Sequence, residues 1–414
     1  VTTSPACRVY ALALLACVTL MYQLDRSVMY ITQEAVKGEF HLSDAQLGVL
    51  TGLAYGLCNA AAGIPMGWLA DRASRRAILS IIVAAWSAAT AACGLAPGYG
   101  ALVAARAATG LAESGGTPTS LSFLTDLNPP DRRASAIGFV FAGYSVGTVL
   151  SGLAGGWVTS HYGWRTTFLA YGAPGLALAA LLAATLREPQ RTGSIGASSV
   201  AARALPAAAW RLLRSPGLRL IYATTALSSL ISSGVFAWWA PFLLRTHHFA
   251  LPIVGVIVGL AGGLAGIVGI IAAGFVADRA RRRALGGPLL VLAGVALVNL
   301  LATSLALWTP DRVILIGALC ASGATGGVYI GPGNAVLSEL APPDLRAVAF
   351  SISVVITNLI GVSVGPLLIG VLSDAVQALA VPVAPLRLAM FLIILLQAPN
   401  ALIYLLGGLK LRAA

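Results

Sequence analysis

Apolar stretches long enough to cross a bilayer core, about 20 residues each, recur along almost the whole chain, separated by short clusters of charged residues, glycine and proline. The ten-residue alternation of a membrane barrel is absent. The pattern predicts twelve transmembrane helices, near 9–36, 43–71, 76–95, 99–126, 131–159, 164–187, 217–246, 251–278, 284–308, 311–340, 345–374 and 386–410. They leave no room for a separate soluble domain.

Composition agrees with this reading. Of 414 residues, 58% are hydrophobic and 10% charged, against roughly 25% charged in a soluble domain. A net charge of +12 would suit nucleic acid, but the placement of the charges speaks against such a partner. Nineteen Lys and Arg flank one set of helix ends, five flank the other, and only Arg26 and Arg106 lie inside helices. This bias predicts both termini in the cytoplasm, an even number of spans and a multi-pass protein of the cell inner (plasma) membrane. The first apolar run is too long for a cleavable signal and leads into further spans. Cys7, Cys17, Cys58, Cys93 and Cys320 stand singly without metal-ligand spacing, and are expected to be small buried hydrophobes. No His pair, Ser–Lys pair or metal cluster falls at membrane depth, so neither an enzyme nor a metal or cofactor site is expected.

Two motifs occur twice. Gly67-Trp-Leu-Ala-Asp71-Arg72-Ala-Ser-Arg75-Arg76 follows the second helix, and Gly274-Phe-Val-Ala-Asp278-Arg279-Ala-Arg-Arg282-Arg283 follows the eighth, 207 residues later. Pro129-Pro-Asp131-Arg-Arg133-Ala134 opens the fifth helix, and Pro342-Pro-Asp344-Leu-Arg346-Ala347 opens the eleventh, 213 residues later. One duplication of a six-helix unit explains both displacements. The expected organisation is an N-terminal bundle over 1–187, a cytoplasmic linker over 188–216 and a C-terminal bundle over 217–414, with a binding site near the midplane between the halves. In the linker, Ala207–Arg214 reads either as a short surface helix on anionic lipid headgroups or as a passive tether.

Four charges lie at membrane depth: the adjacent pair Asp25 and Arg26 in the first helix, and Arg106 and Glu113 in the fourth. Arg106 and Glu113 are seven residues apart, hence within about 20° in azimuth and about 10 Å along the axis. Each charge near the bilayer centre costs roughly 2.5–3.5 kcal/mol, so four cost on the order of 10 kcal/mol, as much as a domain's whole stability. They are expected to face a central cavity and to offset one another. Asp25 and Glu113 are then candidates for protonation-linked switching, and a static ion pair between the two helices is the alternative. Arg26 or Arg106 suits an anionic substrate group, because a planar guanidinium matches phosphate and carboxylate; Arg106 serves equally as a structural lock. Tyr22, Met29, Tyr30, Tyr144, Trp238, Trp239, Tyr329 and Asn358 are candidate cavity-lining residues with apolar bodies and polar tips. The tenth helix carries no charge before Glu339, so the charged chemistry belongs to the first half.

Asp71, Arg72 and Arg75, with Asp278, Arg279 and Arg282, form a candidate gating latch, in which an acid at a helix end pairs with Arg or a facing helix N-terminus in one conformation only. A plain topology signal is the alternative. Gly152-x-x-x-Gly156, Gly361-x-x-x-Gly365 and Gly370 allow close helix approach.

The duplicated Gly-x-x-x-Asp-Arg-x-x-Arg-Arg run resembles the signature of the major facilitator superfamily, although Ser74 and Arg281 stand where that family usually has Gly. Arg106-x-x-x-Gly110 with Glu113 is similar to its fourth-helix signature. The run Gly143-Tyr144-Ser-Val-Gly147 is similar to an exporter motif without its Pro. Leu24-Asp25-Arg26, the stretch Leu42 to Leu50, Gly110-Leu-Ala-Glu113 with Pro118, and Gly163-Trp-Arg-x-x-Phe168 resemble the Spinster branch, mainly over the first half. Scarce Lys beside abundant Arg, Ala and Gly points to a bacterial, GC-rich source. The resemblance implies an all-α membrane protein of two pseudo-symmetric six-helix halves, working as a monomer. It further implies a proton-coupled secondary transporter that moves lysolipid or sphingolipid-like amphiphiles, such as sphingosine-1-phosphate and lysophospholipids, by alternating access. Asp25 and Glu113 would be the coupling acids and Arg26 the headgroup contact. A proton-linked exporter of drugs or small organic anions is the alternative, and a non-transporting receptor on the same fold is a third.

Overall fold

Backbone amides in hydrocarbon must find partners within their own segment, and every long apolar stretch is helical in the computed structural model, which describes residues 5–72, 74–129, 132–188 and 205–413. The rods are Pro5–Phe40, 44–72, Arg75–Gly94, 99–127, Arg133–Thr185, Pro216–His247, Leu251–Arg281, Gly287–Trp308, Arg312–Leu340, Pro343–Ala378 and 385–413. A short helix, Leu205–Arg214, precedes the sixth of these. Gly163, with φ 81° and ψ 164°, divides Arg133–Thr185 into two spans, so the described residues form the twelve transmembrane helices of the expected all-α fold. Nine described helices are individually long and apolar enough to cross a membrane. The rod 99–127 is polar for a span, because it carries Arg106 and Glu113.

The chain forms two compact units. The first comprises Val1–Leu42, Val49–Ser198 and Phe249–Gly259. Its core gathers Leu15, Leu79, Val83, Trp86, Phe123 and Val140. A methyl on Gly152 would meet the Gly255 carbonyl oxygen at 2.3 Å, so the predicted small-residue stripe does bring backbones together. The second unit comprises Ser43–Gly48, Ser199–His248 and Leu260–Ala414, packed on Tyr222, Leu289, Leu292, Val336 and Leu337. Another close approach lies within this unit at Gly365, where a methyl would lie 2.5 Å from the Leu230 carbonyl oxygen.

The internal repeat is legible in the backbone. Wide π-helical turns occur at Val49–Leu53 and Leu260–Ala265, 211 residues apart. Glu339, which pairs with Arg281 at 2.8 Å, lies 213 residues after Asp126, the partner of Arg75, matching the displacement of the Pro-Pro-Asp motifs. Asp131 itself lies outside the described residues, as does most of the linker.

Apolar side chains cover the outside: Phe275 is 73% exposed and Val313 80%. Such a surface suits acyl chains rather than water. The cysteines correct one expectation, since only Cys93 is buried, Cys17 is exposed and Cys7, Cys58 and Cys320 are intermediate. The reason is that in a bilayer a small apolar side chain gains as much from facing lipid as from facing the core.

Gly163 also organises the corner between the fifth and sixth spans. The turn aims Trp164 Nε1 at Glu39 (2.6 Å), and Arg165 bridges Glu39 (2.6 Å) to the Ala96 carbonyl (2.7 Å). The end of the first span, the segment just after the third and the start of the sixth are thereby tied together. A Cβ at Gly163 meets nothing within 4 Å, so its replacement is opposed only by the left-handed backbone. Gly163→Ala is expected to cost roughly 1 kcal/mol and to lower the melting temperature in detergent, whereas Gly138→Ala, in an open helical position, should not lower it.

Candidate functional site

The four membrane-depth charges all fall in the first unit. Asp25, Arg106 and Glu113 are buried, and Arg26 is half-buried. The acids do not line an open surface; they sit behind Arg26, Tyr22 and Tyr144, which are the partly exposed members of the group. Desolvation cost drives this layering, because a buried charge is tolerated where an opposite charge shares its site.

Tyr55, a residue absent from the sequence-based candidates, joins the group together. Its hydroxyl donates a short hydrogen bond to Glu113 Oε2. Arg106 lies over its ring at 5.1 Å from the centroid and Arg26 at 5.7 Å, two cation–π contacts. The Tyr22 hydroxyl oxygen is 3.2 Å from that of Tyr55. A tyrosine has one proton to give; with it committed to Glu113, Tyr22 becomes the donor in that contact. The result is a chain running from half-buried Tyr22 through Tyr55 to buried Glu113. Tyr22 in turn stands edge-on to Trp86 (6.1 Å) and to Tyr144 (5.4 Å), and Tyr144 shares a 3.1 Å hydrogen bond with Thr117.

The backbone explains how Tyr55 reaches Glu113. A methyl on Gly110 would lie 2.1 Å from the Tyr55 carbonyl oxygen, so only glycine lets the second and fourth spans touch here. Asn59 Nδ2 fastens the same contact by donating to the Gly110 carbonyl at 3.1 Å. One turn earlier, Arg106 Nε donates to the Leu50 carbonyl at 3.4 Å, within the π-helical turn Val49–Leu53. Such turns free carbonyls from the regular ladder and recur at functional positions. Asp25 lies in the electrostatic field of both Glu113 and Arg106. Both its carboxylate oxygens, the terminal nitrogens of Arg106 and Glu113 Oε1 are buried without a direct hydrogen-bond partner among the described residues.

The remaining candidates are scattered. Met29 is fully buried in the first unit and Trp239 is buried in the second. Trp238, also buried, donates to the Pro366 carbonyl at 2.9 Å. Tyr329 lines a cavity of about 20 Å³ with Ser228, Asn299, Thr325, Gln397 and Tyr404, room for about one water. Asn358 is half-buried, and its carbonyl accepts from Ser363 at 2.9 Å. Asn299, Gln397 and Asn400, linked in series at 3.1 and 2.9 Å, were legible as lone carboxamides in apolar helices but carry no charge to single them out.

In the duplicated motif, the side chains of Asp71 and Arg72 lie outside the described residues. Arg75 is buried and engages Asp126, Glu188 (3.0 Å) and the Ser122 carbonyl (3.1 Å). Asp278, Arg279 and Arg282 are exposed. Ser74 caps the third span by accepting from the Ala77 amide. Glu188 reinforces that cap by accepting from the Arg76 amide (2.8 Å), the Arg75 amide (3.2 Å) and the Ser74 hydroxyl (2.8 Å).

A second charged node was hidden in the Leu42-Ser-Asp stretch. Ser43 and Gln46 form a reciprocal capping box, with contacts of 2.9 and 3.2 Å. It presents Asp44 to a two-pronged pairing with Arg245 at 2.8 and 2.9 Å and to the Ser373 hydroxyl at 2.6 Å. Asp374 accepts from the Asp44 and Ala45 amides at 3.0 and 2.8 Å. The partners are 201 and about 330 residues away in sequence, which is why no local pattern announces them.

Comparison with known proteins supplies the remaining observations. A family model described as Major Facilitator Superfamily matches residues 15–366. An MFS-type efflux pump of Mycolicibacterium smegmatis is 29% identical over 402 residues, covering 97% of this chain and 93% of that protein. A gallate transporter of Pseudomonas putida is 27% identical, covering 81% of this chain and 79% of its own length. Among solved structures, a bacterial homologue of the human lysosomal transporter Spinster, in an inward-facing and unoccupied conformation, superposes with a TM-score of 0.85 at 26% identity, over 99% of this chain and 98% of that one.

Two outcomes test the geometry. Gly110→Val drives a side chain into the Tyr55 backbone and is expected to destabilise the first unit by about 1–3 kcal/mol, read as a fall in melting temperature. Glu188 is opposed by burial, but the Arg76 amide, the Arg75 guanidinium, the Ser74 hydroxyl and the Arg75 amide outweigh it and hold its carboxyl below the ordinary value of 4.5. A depressed carboxyl stabilises the fold fully above that ordinary value and loses its contribution as pH falls through the lower folded value. The melting-temperature deficit of Glu188→Gln should therefore be full at neutral pH and shrink below pH 4.5.

Proposed function

The chain belongs to the Major Facilitator Superfamily and is a multi-pass membrane transporter with a Spinster-like structure, and on that premise we propose that it couples proton movement to the transport of an amphiphile bearing an anionic headgroup. The observation that carries this reading is the Tyr22–Tyr55–Glu113 hydrogen-bond chain, which runs from the partly exposed rim to a buried acid beside Asp25 and Arg106.

A buried site holding Asp25 and Glu113 with Arg106 balances its charge when one carboxyl carries a proton and the other pairs with the arginine. Taking up or losing that proton changes the net charge of the site. In this reading Tyr22 and Tyr55 pass the proton, and Arg26 holds phosphate or carboxylate at the rim through its planar donor face. Tyr144 and Tyr22 offer aromatic area to the apolar part of a lysolipid or sphingolipid-like molecule. The duplicated basic motif, with Arg75, Asp278, Arg279 and Arg282, would act in the gating step, and the basic flanks would keep both termini in the cytoplasm of an inner-membrane protein that works as a monomer.

A second reading keeps the proton step and replaces the amphiphile with a small organic anion or a drug. It is favoured by the relatives, one named as an efflux pump and one as a gallate transporter.

Flux into proteoliposomes under an imposed pH gradient tests both parts. Glu113→Gln should abolish acceleration by the gradient and reduce gradient-driven flux by at least tenfold, while the protein still elutes as a folded species. Wild-type rate and pH dependence in that variant would remove Glu113 from the coupling step. Faster flux of lysophosphatidic acid than of gallate supports the amphiphile; the reverse supports the small anion.

A further inference from the structure

We propose that the helix Leu205–Arg214 is an interfacial anchor that binds the headgroups of anionic phospholipids in the bilayer that the protein spans. Three features of the second unit carry this inference: what the helix exposes, where it is tethered and how its charge is distributed.

Ala208 and Leu212, one turn apart, face inward against the core, with Leu212 1% exposed. The opposite side presents Trp210, Leu213 and Arg214, and Arg211 flanks them. Trp210 is 58% exposed, a large aromatic surface that water does not favour. Tryptophan with an adjoining leucine and arginines on one helical face matches the chemistry of the headgroup layer, where the ring sits in the boundary and the cations reach the phosphates. The Arg214 guanidinium lies over the Trp210 ring at 4.7 Å from its centroid, a cation–π contact that holds a group with five donors suited to phosphate oxygens beside the ring.

Connectivity then fixes the height of the helix. Ser215, in an extended conformation (φ −66°, ψ 122°), is the single residue between Arg214 and the spanning helix Pro216–His247. The chain turns there, so the short helix leaves the axis of the span at its end, which is the edge of the hydrocarbon layer. The charge of the surface is complementary to anionic lipid. Arg211, Arg214 and Arg219 are exposed, and so is Arg346 at the start of the helix that Leu205–Arg214 packs against. Among the described residues Arg211 pairs with Asp344 at 3.9 Å, with both side chains mostly exposed, a contact too weak to neutralise the group.

The experiment uses the full-length chain in nanodiscs of phosphatidylcholine, with and without phosphatidylglycerol. Subtracting the emission of Trp210→Phe from that of wild type isolates Trp210. Its emission should shift to shorter wavelength, and its quenching by acrylamide should fall at least twofold, when phosphatidylglycerol is present. Arg211→Gln/Arg214→Gln should lose that lipid-dependent protection and retain less phosphatidylglycerol in native mass spectrometry, by about fivefold for each arginine removed. Equal quenching in the two lipids would overturn the proposal. So would equal protection in phosphatidylcholine discs on adding inorganic phosphate, which would mark a soluble-anion site, or on adding an acidic soluble protein, which would mark a protein partner.

Discussion

The cost of removing charge from water governs this molecule. Where side chains are surrounded by other side chains and by lipid, an isolated ionised group is expensive enough to unfold the region around it, so each buried charge must be met by something specific. The Tyr55 hydroxyl on Glu113, with Arg106 over the same ring, is one such answer in the first unit. Gly110 exists at the closest approach of the second and fourth spans to allow it. Local backbone, packing and candidate chemistry are thus consequences of one electrostatic constraint.

The two units answer the same constraint differently. The first places acids and arginines in its interior; the second fills the corresponding depth with carboxamides and hydroxyls, Asn299, Gln397, Asn400, Ser228 and Tyr404. Neutral hydrogen-bonding groups hold helices together without a net charge to balance, whereas carboxylates change charge when they take a proton. The acids and arginines of the first unit's interior thus have neutral hydrogen-bonding groups as their counterpart around Asn299 and Asn400. The duplicated basic motif has diverged likewise. Arg75 is buried against Asp126 and Glu188, while the second copy exposes Arg282 and uses Arg281 to reach Glu339.

The charged node at Asp44 shows a further consequence of the constraint. Asp44 is buried, so it takes both prongs of Arg245 and the Ser373 hydroxyl, while Asp374 satisfies the amides that open the 44–72 rod. Three distant stretches of chain are joined by carboxylates placed at helix ends, where backbone donors are unpaired and the helix dipole favours negative charge.

Periodicity, composition and the bias of arginine between helix ends determined the all-α membrane fold, its duplicated helices and the four charges worth attention, because the bilayer acts on each segment separately and writes its demand into that segment's own residues. What only the tertiary structure decided is who meets whom. Tyr55 is one tyrosine among eleven in the sequence until Gly110 brings its helix against Glu113. Met29 and Trp239 read as plausible cavity residues and are buried, because helical periodicity reports that a side chain is apolar and not which of its neighbours covers it. Asp44 and Arg245 pair across 201 residues, and hydrogen bonds of that range depend on how helices are laid side by side, a relation that local propensity does not encode.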